Sequence, residues 1–278
     1  MKIKKWTDFL LYSNIFISVC AAAMTAETYF LVHAEINWFY IFFVFASTLA
    51  LYNFPVFAES NFSSENSERH KWISENKKIQ QVIAVISAVA AAMLSFFFPL
   101  KFTLWFIPIA VIAFAYFFPQ THLRSIAGLK AGIVALVWTS VTAIYPLLII
   151  SDFNAISFWG NSNGTIMLLN FLFIFPLCVI YNVRDIEADR KAGVKTFPVI
   201  YGVKWTIVIC LISLVLFSAL AIFSGNDYNS KVSLLLSAIA TAAFLLFDSE
   251  KRSDYYYSFW VDGMILLQTG LVVLLNFF

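Results

Sequence analysis

The sequence predicts an all-α integral membrane protein with nine transmembrane helices, and three observations carry that expectation. First, 61% of the 278 residues are hydrophobic and 12% are charged, with a mean hydropathy of +0.82; a soluble domain carries about 25% charged residues. Second, the apolar runs are long and continuous rather than alternating. A backbone in lipid must satisfy its own hydrogen bonds, which leaves helices or closed barrels, and runs of this kind select helices. Third, with nine spans 16 of the 18 lysines and arginines fall on one side. Cytoplasmic loops carry such an excess.

The elements follow in order. Trp6 to Val32 holds Asp8, Asn14 and Glu27 and lacks a small-residue cleavage site, so it is read as a retained first helix rather than a signal peptide. Lys2, Lys4 and Lys5 precede it and place the N-terminus inside. Trp38 to Phe57, Ile79 to Phe98, Phe102 to Phe118 and Ile126 to Ile150 follow. Thr165 to Val183, Val203 to Phe223, Val232 to Phe247 and Tyr257 to Phe278 complete the set and leave the C-terminus outside. A span needs about 20 apolar residues; the fourth is near the lower limit and contains Pro108, and the eighth is the shortest. The chain reads as one polytopic domain, residues 1–278, in a lipid bilayer, with no nucleic acid as partner. Cys20, Cys178 and Cys210 all sit in apolar stretches without metal-ligand spacing and read as buried thiols.

Two polar segments stand out, 59–78 and 184–204, both on the predicted cytoplasmic side. The second contains Asp185 and Asp189, followed by Arg190, Lys191 and Lys195. Four residues apart on a helix, the two carboxylates share a face. Such a pair can hold Mg²⁺, and the metal can hold a phosphate. Glu187 points away from that face, about 160° from each of the two aspartates at 100° per residue. Gly193 and Pro198 are expected to end the helix and turn the chain back. Spacing alone leaves a second reading open, a solvated loop whose basic residues only set topology.

The run RDIEADRKAGVKTFPVIYG resembles the second aspartate-rich motif of the UbiA superfamily of intramembrane prenyltransferases, matching at Asp185, Asp189, Gly193, Thr196 and Pro198. Ala188 and Phe197 replace a usual glycine and leucine. The resemblance implies a nine-helix bundle around a central cavity and transfer of a prenyl group from a prenyl diphosphate to a membrane-associated lipophilic or aromatic acceptor. It also implies Mg²⁺ held by Asp185 and Asp189. It further points to Asn14 near the diphosphate, to Lys130 at the start of helix five as a phosphate contact, and to Arg190 as a third binding residue. The first motif of the family departs. Asn53 and Glu59 suit it, but Phe54, Phe57 and Asn61 occupy its aspartate positions, and phenylalanine cannot ligate Mg²⁺. Arg69, His70 and Lys71 follow nearby. Arginine and lysine bind phosphate without a metal, so Arg69 is a candidate contact to the diphosphate; a solvated charge run is the other reading.

Two further acidic residues fall within spans. Glu27 is expected near the outer face, where water would hydrate it, and Asp262 about five residues inside the cytoplasmic boundary, where it could share the mouth with Asp185. No single aromatic among the 31 phenylalanines, 12 tyrosines and 8 tryptophans is distinguished. Beside the transferase stand a non-catalytic isoprenoid- or lipid-binding scaffold, motivated by the degraded first motif, and a transporter. The transporter is disfavoured because the polar residues gather at one rim rather than at the midplane.

Overall fold

A computed structural model describes residues 2–57, 68–117, 129–160, 163–246 and 253–277. Glu59 and Asn61 lie outside these residues. Among the described residues there are helices and no strands. In chain order the helices are α1 (Lys2–Tyr12), α2 (Ile15–Leu31), α3 (Trp38–Asn53), α4 (Glu68–Glu75), α5 (Lys77–Ser95), α6 (Leu100–Phe117) and α7 (Leu129–Thr139). They continue as α8 (Tyr145–Ile150), α9 (Ala155–Gly160), α10 (Asn163–Arg184), α11 (Ile186–Lys191), α12 (Phe197–Phe223), α13 (Tyr228–Leu246) and α14 (Asp262–Phe277). Single π-helical segments join α7 to α8 (Ser140–Ile144) and precede α14 (Tyr256–Val261).

Among the described residues, seven helical stretches are long and apolar enough to cross a bilayer, and an eighth if α1 and α2, bent by 61°, form one broken span. α6 is apolar but shorter. The outward faces are apolar, as lipid requires. On α5, Val82, Val85, Ile86, Val89 and Met93 are exposed at helical spacing while Gln80, Ala84 and Ser87 are buried. This inverts the amphipathic pattern of a water-soluble helix.

The break in the first span has a local cause. Asn14 adopts the left-handed conformation at φ 64°, which asparagine tolerates better than most residues. The carbonyls freed there find donors on other helices. Asn53 Nδ2 donates to Ser13 O at 2.9 Å and Gln80 Nε2 to Tyr12 O at 2.9 Å. In lipid an unsatisfied backbone group costs several kcal/mol, so the kink depends on α3 and α5. At the other end of the bundle, Tyr40, Phe43, Phe98, Phe102, Phe106 and Tyr145 pack edge to face and stacked, with ring centroids 4.5–6.0 Å apart.

Glu27 is not hydrated at the outer face. It is 3% exposed within α2 and accepts from Gln268 Nε2 at 2.7 Å and Thr269 Oγ1 at 2.9 Å, both on α14. Its partners lie some 240 residues away, where spacing along the chain cannot reveal them.

Replacing Asn53 by leucine should leave Ser13 O without its side-chain donor. The expected cost is about 1–3 kcal/mol, read as a lowered midpoint of thermal unfolding in detergent; a midpoint equal to wild type would show that the kink is held elsewhere.

Candidate functional site

Polar side chains at one end of the bundle line a large cavity, about 1290 Å³, bounded by α2–α7, α10, α11 and the start of α14. Its deeper walls are apolar: Phe43, Phe102, Phe106, Ala113, Val134 and Leu177 among others. Its rim carries Asn14, Asn53, Arg69, Lys130, Arg184, Asp185 and Asp254, and Asp262 also lines it.

Asp185 sits where α10 stops. It caps α11, its N–H reaching back to Tyr181 O (3.3 Å) and its carbonyl accepting from Asp189 N–H (2.8 Å). The expected one-turn relation of the two aspartates therefore survives the junction. Gly193, at φ 69°, ends α11 as expected. Pro198 does not; it lies in the first turn of α12, where a missing N–H costs nothing.

Lys130 Nζ contacts both carboxylates. It lies 2.8 and 2.9 Å from the oxygens of Asp189 and 3.6 Å from Asp185 Oδ2. Lys130 is 5% and Asp189 7% exposed, so this is a buried ion pair tying α7 to α11. Asp185 also accepts from Arg184 Nε at 2.8 Å. The Arg184 guanidinium lies over the rings of Tyr181 (4.9 Å) and Tyr257 (5.7 Å), a cation–π arrangement that fixes its plane.

The opposite wall is built on neutral and cationic groups. Asn53 spends its amide on Ser13 O and Leu49 O, and its carbonyl accepts from Asn14 Nδ2 at 3.1 Å. Asn14 Oδ1 in turn accepts from Arg69 Nη2 at 3.0 Å. Asn53 thus supports Asn14, and Asn14 orients Arg69. Arg69 N–H donates to Asp254 Oδ2 at 3.1 Å, which docks α4 against the start of the last span. Burial, and then the nearby Arg184 charge, lower the Arg69 pKa from the ordinary arginine value; arginine nonetheless stays protonated at neutral pH. Phe54 packs on Phe114 with centroids 5.4 Å apart, and Phe57 is exposed. Neither they nor their neighbours Pro55 and Val56 offer a metal ligand.

Arg190 stands apart from the other candidates. It is exposed and absent from the cavity wall, because one residue along α11 from buried Asp189 is a rotation of about 100°. Asp262, undecided from sequence, is 7% exposed, lines the cavity and accepts from Tyr181 OH at 2.7 Å. Tyr181 itself carried no signal in the sequence beyond its place one turn before Asp185.

Metal capacity follows from the donor set. Among the described residues no group of three or more His, Cys, Asp or Glu side chains could hold an ion. Mg²⁺ is often held by one or two carboxylates plus substrate phosphates and water. Asp185 and Asp189 converge on one point, now filled by the Lys130 ammonium, and so fit a single ion.

The sequence pattern of the UbiA prenyltransferase family matches residues 73–261. A solved structure of a digeranylgeranylglyceryl phosphate synthase is similar in fold, with a TM-score of 0.54 and 14% identity, over 98% of this chain and 97% of that one. No curated protein matches by sequence.

Leaving either member of the Lys130–Asp189 pair alone strands a buried charge, which costs about 3–5 kcal/mol in comparable pairs. Asp189→Ala and Lys130→Met should each lower thermal stability strongly. Combined, they should recover most of the loss; additive losses in the double-mutant cycle would show that the pair is not coupled.

Proposed function

Because the chain belongs to the UbiA prenyltransferase family, we propose that it transfers a prenyl group from a prenyl diphosphate to a lipophilic acceptor within the membrane. The observation that carries this reading is a charged rim continuous with an apolar chamber of about 1290 Å³. A prenyl diphosphate has that same division: a polyanionic head and a hydrocarbon tail. In this reading Arg69, oriented by Asn14, and Lys130 contact diphosphate oxygens. Guanidinium and ammonium donors form charge-assisted hydrogen bonds of this kind. Asp185 and Asp189 would hold one Mg²⁺, which when bound neutralises the departing diphosphate. Lys130 would then move from the carboxylates to the phosphate, and Arg184 would keep Asp185 in place.

Orientation belongs to the same proposal. Nine spans arise when the seven long helices are joined by the α1–α2 pair and α6. The segregated basic residues then put the rim and the N-terminus in the cytoplasm and the C-terminus outside.

A second reading, a non-catalytic isoprenoid-binding scaffold, is favoured by one observation: the wall that carries the first acidic cluster in the family has Phe54 and Phe57 here. The two readings separate in one experiment. Purified protein in Mg²⁺ is expected to release diphosphate from geranyl, farnesyl or geranylgeranyl diphosphate when given acceptors, and Asp185→Asn with Asp189→Asn to abolish release. Binding without release from any donor would establish the scaffold instead.

Arg69→Ala should weaken donor binding about 10- to 100-fold, the loss of a charged hydrogen bond worth about 1.5–3 kcal/mol. Arg69→Lys should recover part of it. Isothermal titration with farnesyl diphosphate checks this, and unchanged affinity would remove Arg69 from the site.

A further inference from the structure

Asp262 is a buried cavity carboxylate that belongs neither to the metal pair nor to an ion pair among the described residues. It opens α14 just after the π-helical segment Tyr256–Val261; π-turns recur at functional sites because they displace a side chain from its regular register. Its Oδ1 accepts from Tyr181 OH at 2.7 Å. Its Oδ2 has no hydrogen-bond partner among the described residues, yet it is not a sealed, unsatisfied atom, and the residue lines the cavity. No cation lies within ion-pairing distance of it among the described residues; Arg69 and Arg184 act on it from further away.

Depth supports a role distinct from that of Asp185. Tyr181 and Asp185 stand four residues apart on one face of α10 and its continuation, about 6 Å along the axis. Tyr181 holds Asp262, so this carboxylate lies roughly one helical turn deeper than the rim. A diphosphate held at the rim by Lys130 and Arg69 would place its first allylic carbon near that level, with the tail running on among the apolar walls.

We infer that Asp262 is the general base for the acceptor, and that the acceptor carries a hydroxyl group. This rests on the transferase reading above. An oxygen with a free lone pair at the edge of an apolar cavity calls for an O–H donor, which a hydrocarbon cannot supply. In the step, the allylic C–O bond of the donor breaks and its electron pair leaves with the diphosphate. A lone pair of the acceptor oxygen forms the new C–O bond. The acceptor proton passes to Asp262 Oδ2 and from there to water at the rim. Tyr181 is a positioning residue: its hydroxyl fixes Oδ1, so that Oδ2 is the oxygen presented to the acceptor.

The test uses the whole protein in nanodiscs, with 4-octylphenol as acceptor probe and farnesyl diphosphate with Mg²⁺ as donor. Asp262→Asn is expected to bind 4-octylphenol at least tenfold more weakly without reduced donor affinity. In turnover it should divert the prenyl group from the ether to farnesol while diphosphate release continues. Asp262→Glu should restore part of both. Equal 4-octylphenol affinity in wild type and Asp262→Asn, or an undiminished share of ether, would overturn the assignment. Should Asp262→Asn fail to fold, Tyr181→Phe keeps the carboxylate and frees Oδ1, together with the Tyr257 carbonyl that the same hydroxyl contacts at 2.9 Å. It should shift acceptor affinity by about three- to tenfold at constant donor affinity, and no shift overturns the inference equally. Absence of diphosphate release from wild type with every donor would instead overturn the transferase reading, an outcome the binding comparison does not share.

Discussion

In lipid, a helix that bends or stops must find hydrogen-bond partners inside the protein, and the site of this molecule is assembled from the groups that meet that demand. Four interruptions show it. At the α1–α2 break, Asn53 and Gln80 serve the carbonyls of Ser13 and Tyr12. Pro176 in α10 has no N–H for Leu172 O, and Ser213 Oγ on α12 donates to that carbonyl at 2.8 Å. In the first π-helical segment Tyr40 OH donates to Val141 O and Thr28 Oγ1 to Thr142 O, each at 2.7 Å. In the second, Tyr181 OH reaches Tyr257 O at 2.9 Å. The side chains recruited for backbone satisfaction include Asn53, Gln80 and Tyr181, all of which line the cavity. Structural and chemical duties therefore fall on the same residues, and a substitution at any of them is read correctly only when stability and binding are measured separately.

Much of the architecture was legible because lipid imposes it locally. Long apolar runs and clustered basic residues mark spans without knowledge of tertiary contacts, and each predicted segment contains a helix of the structure. The acidic pair was legible for the same reason: Asp185 and Asp189 are related by one turn, a local property that persists even though α10 ends at Arg184. What was not legible depends on partners distant in sequence. Nothing around Glu27 announces Gln268 and Thr269, and a lysine at the start of a helix gives no hint that both carboxylates converge on it. The outward position of Arg190 has a simpler cause. Basic residues beside an acidic motif attract attention by proximity in sequence, whereas one step along a helix turns the side chain away.

The rim is balanced rather than acidic. Asp185, with Asp189 behind it, is matched by Lys130 and Arg184, and the wall of Asn14 and Asn53 adds Arg69, whose backbone N–H meets Asp254. A site with two facing acidic clusters must first collect divalent ions before an anion can approach. Here the cations already present are fixed side chains, whose charge needs no recruitment from solution, while the surviving aspartates have a second task in orienting them.

That arrangement also explains why Arg69 is reached through two asparagines. A carboxylate partner would have quenched its charge, and water alone would have left its long side chain mobile. Asn14 accepts one hydrogen bond from it and carries no charge, so it holds the guanidinium in place without adding a negative charge. Asn14 can do this because it occupies the kink, where its left-handed backbone turns the side chain between α3 and α4, and it stays there because Asn53 secures the same break. The position of the Arg69 guanidinium is thus traced to the left-handed backbone of Asn14.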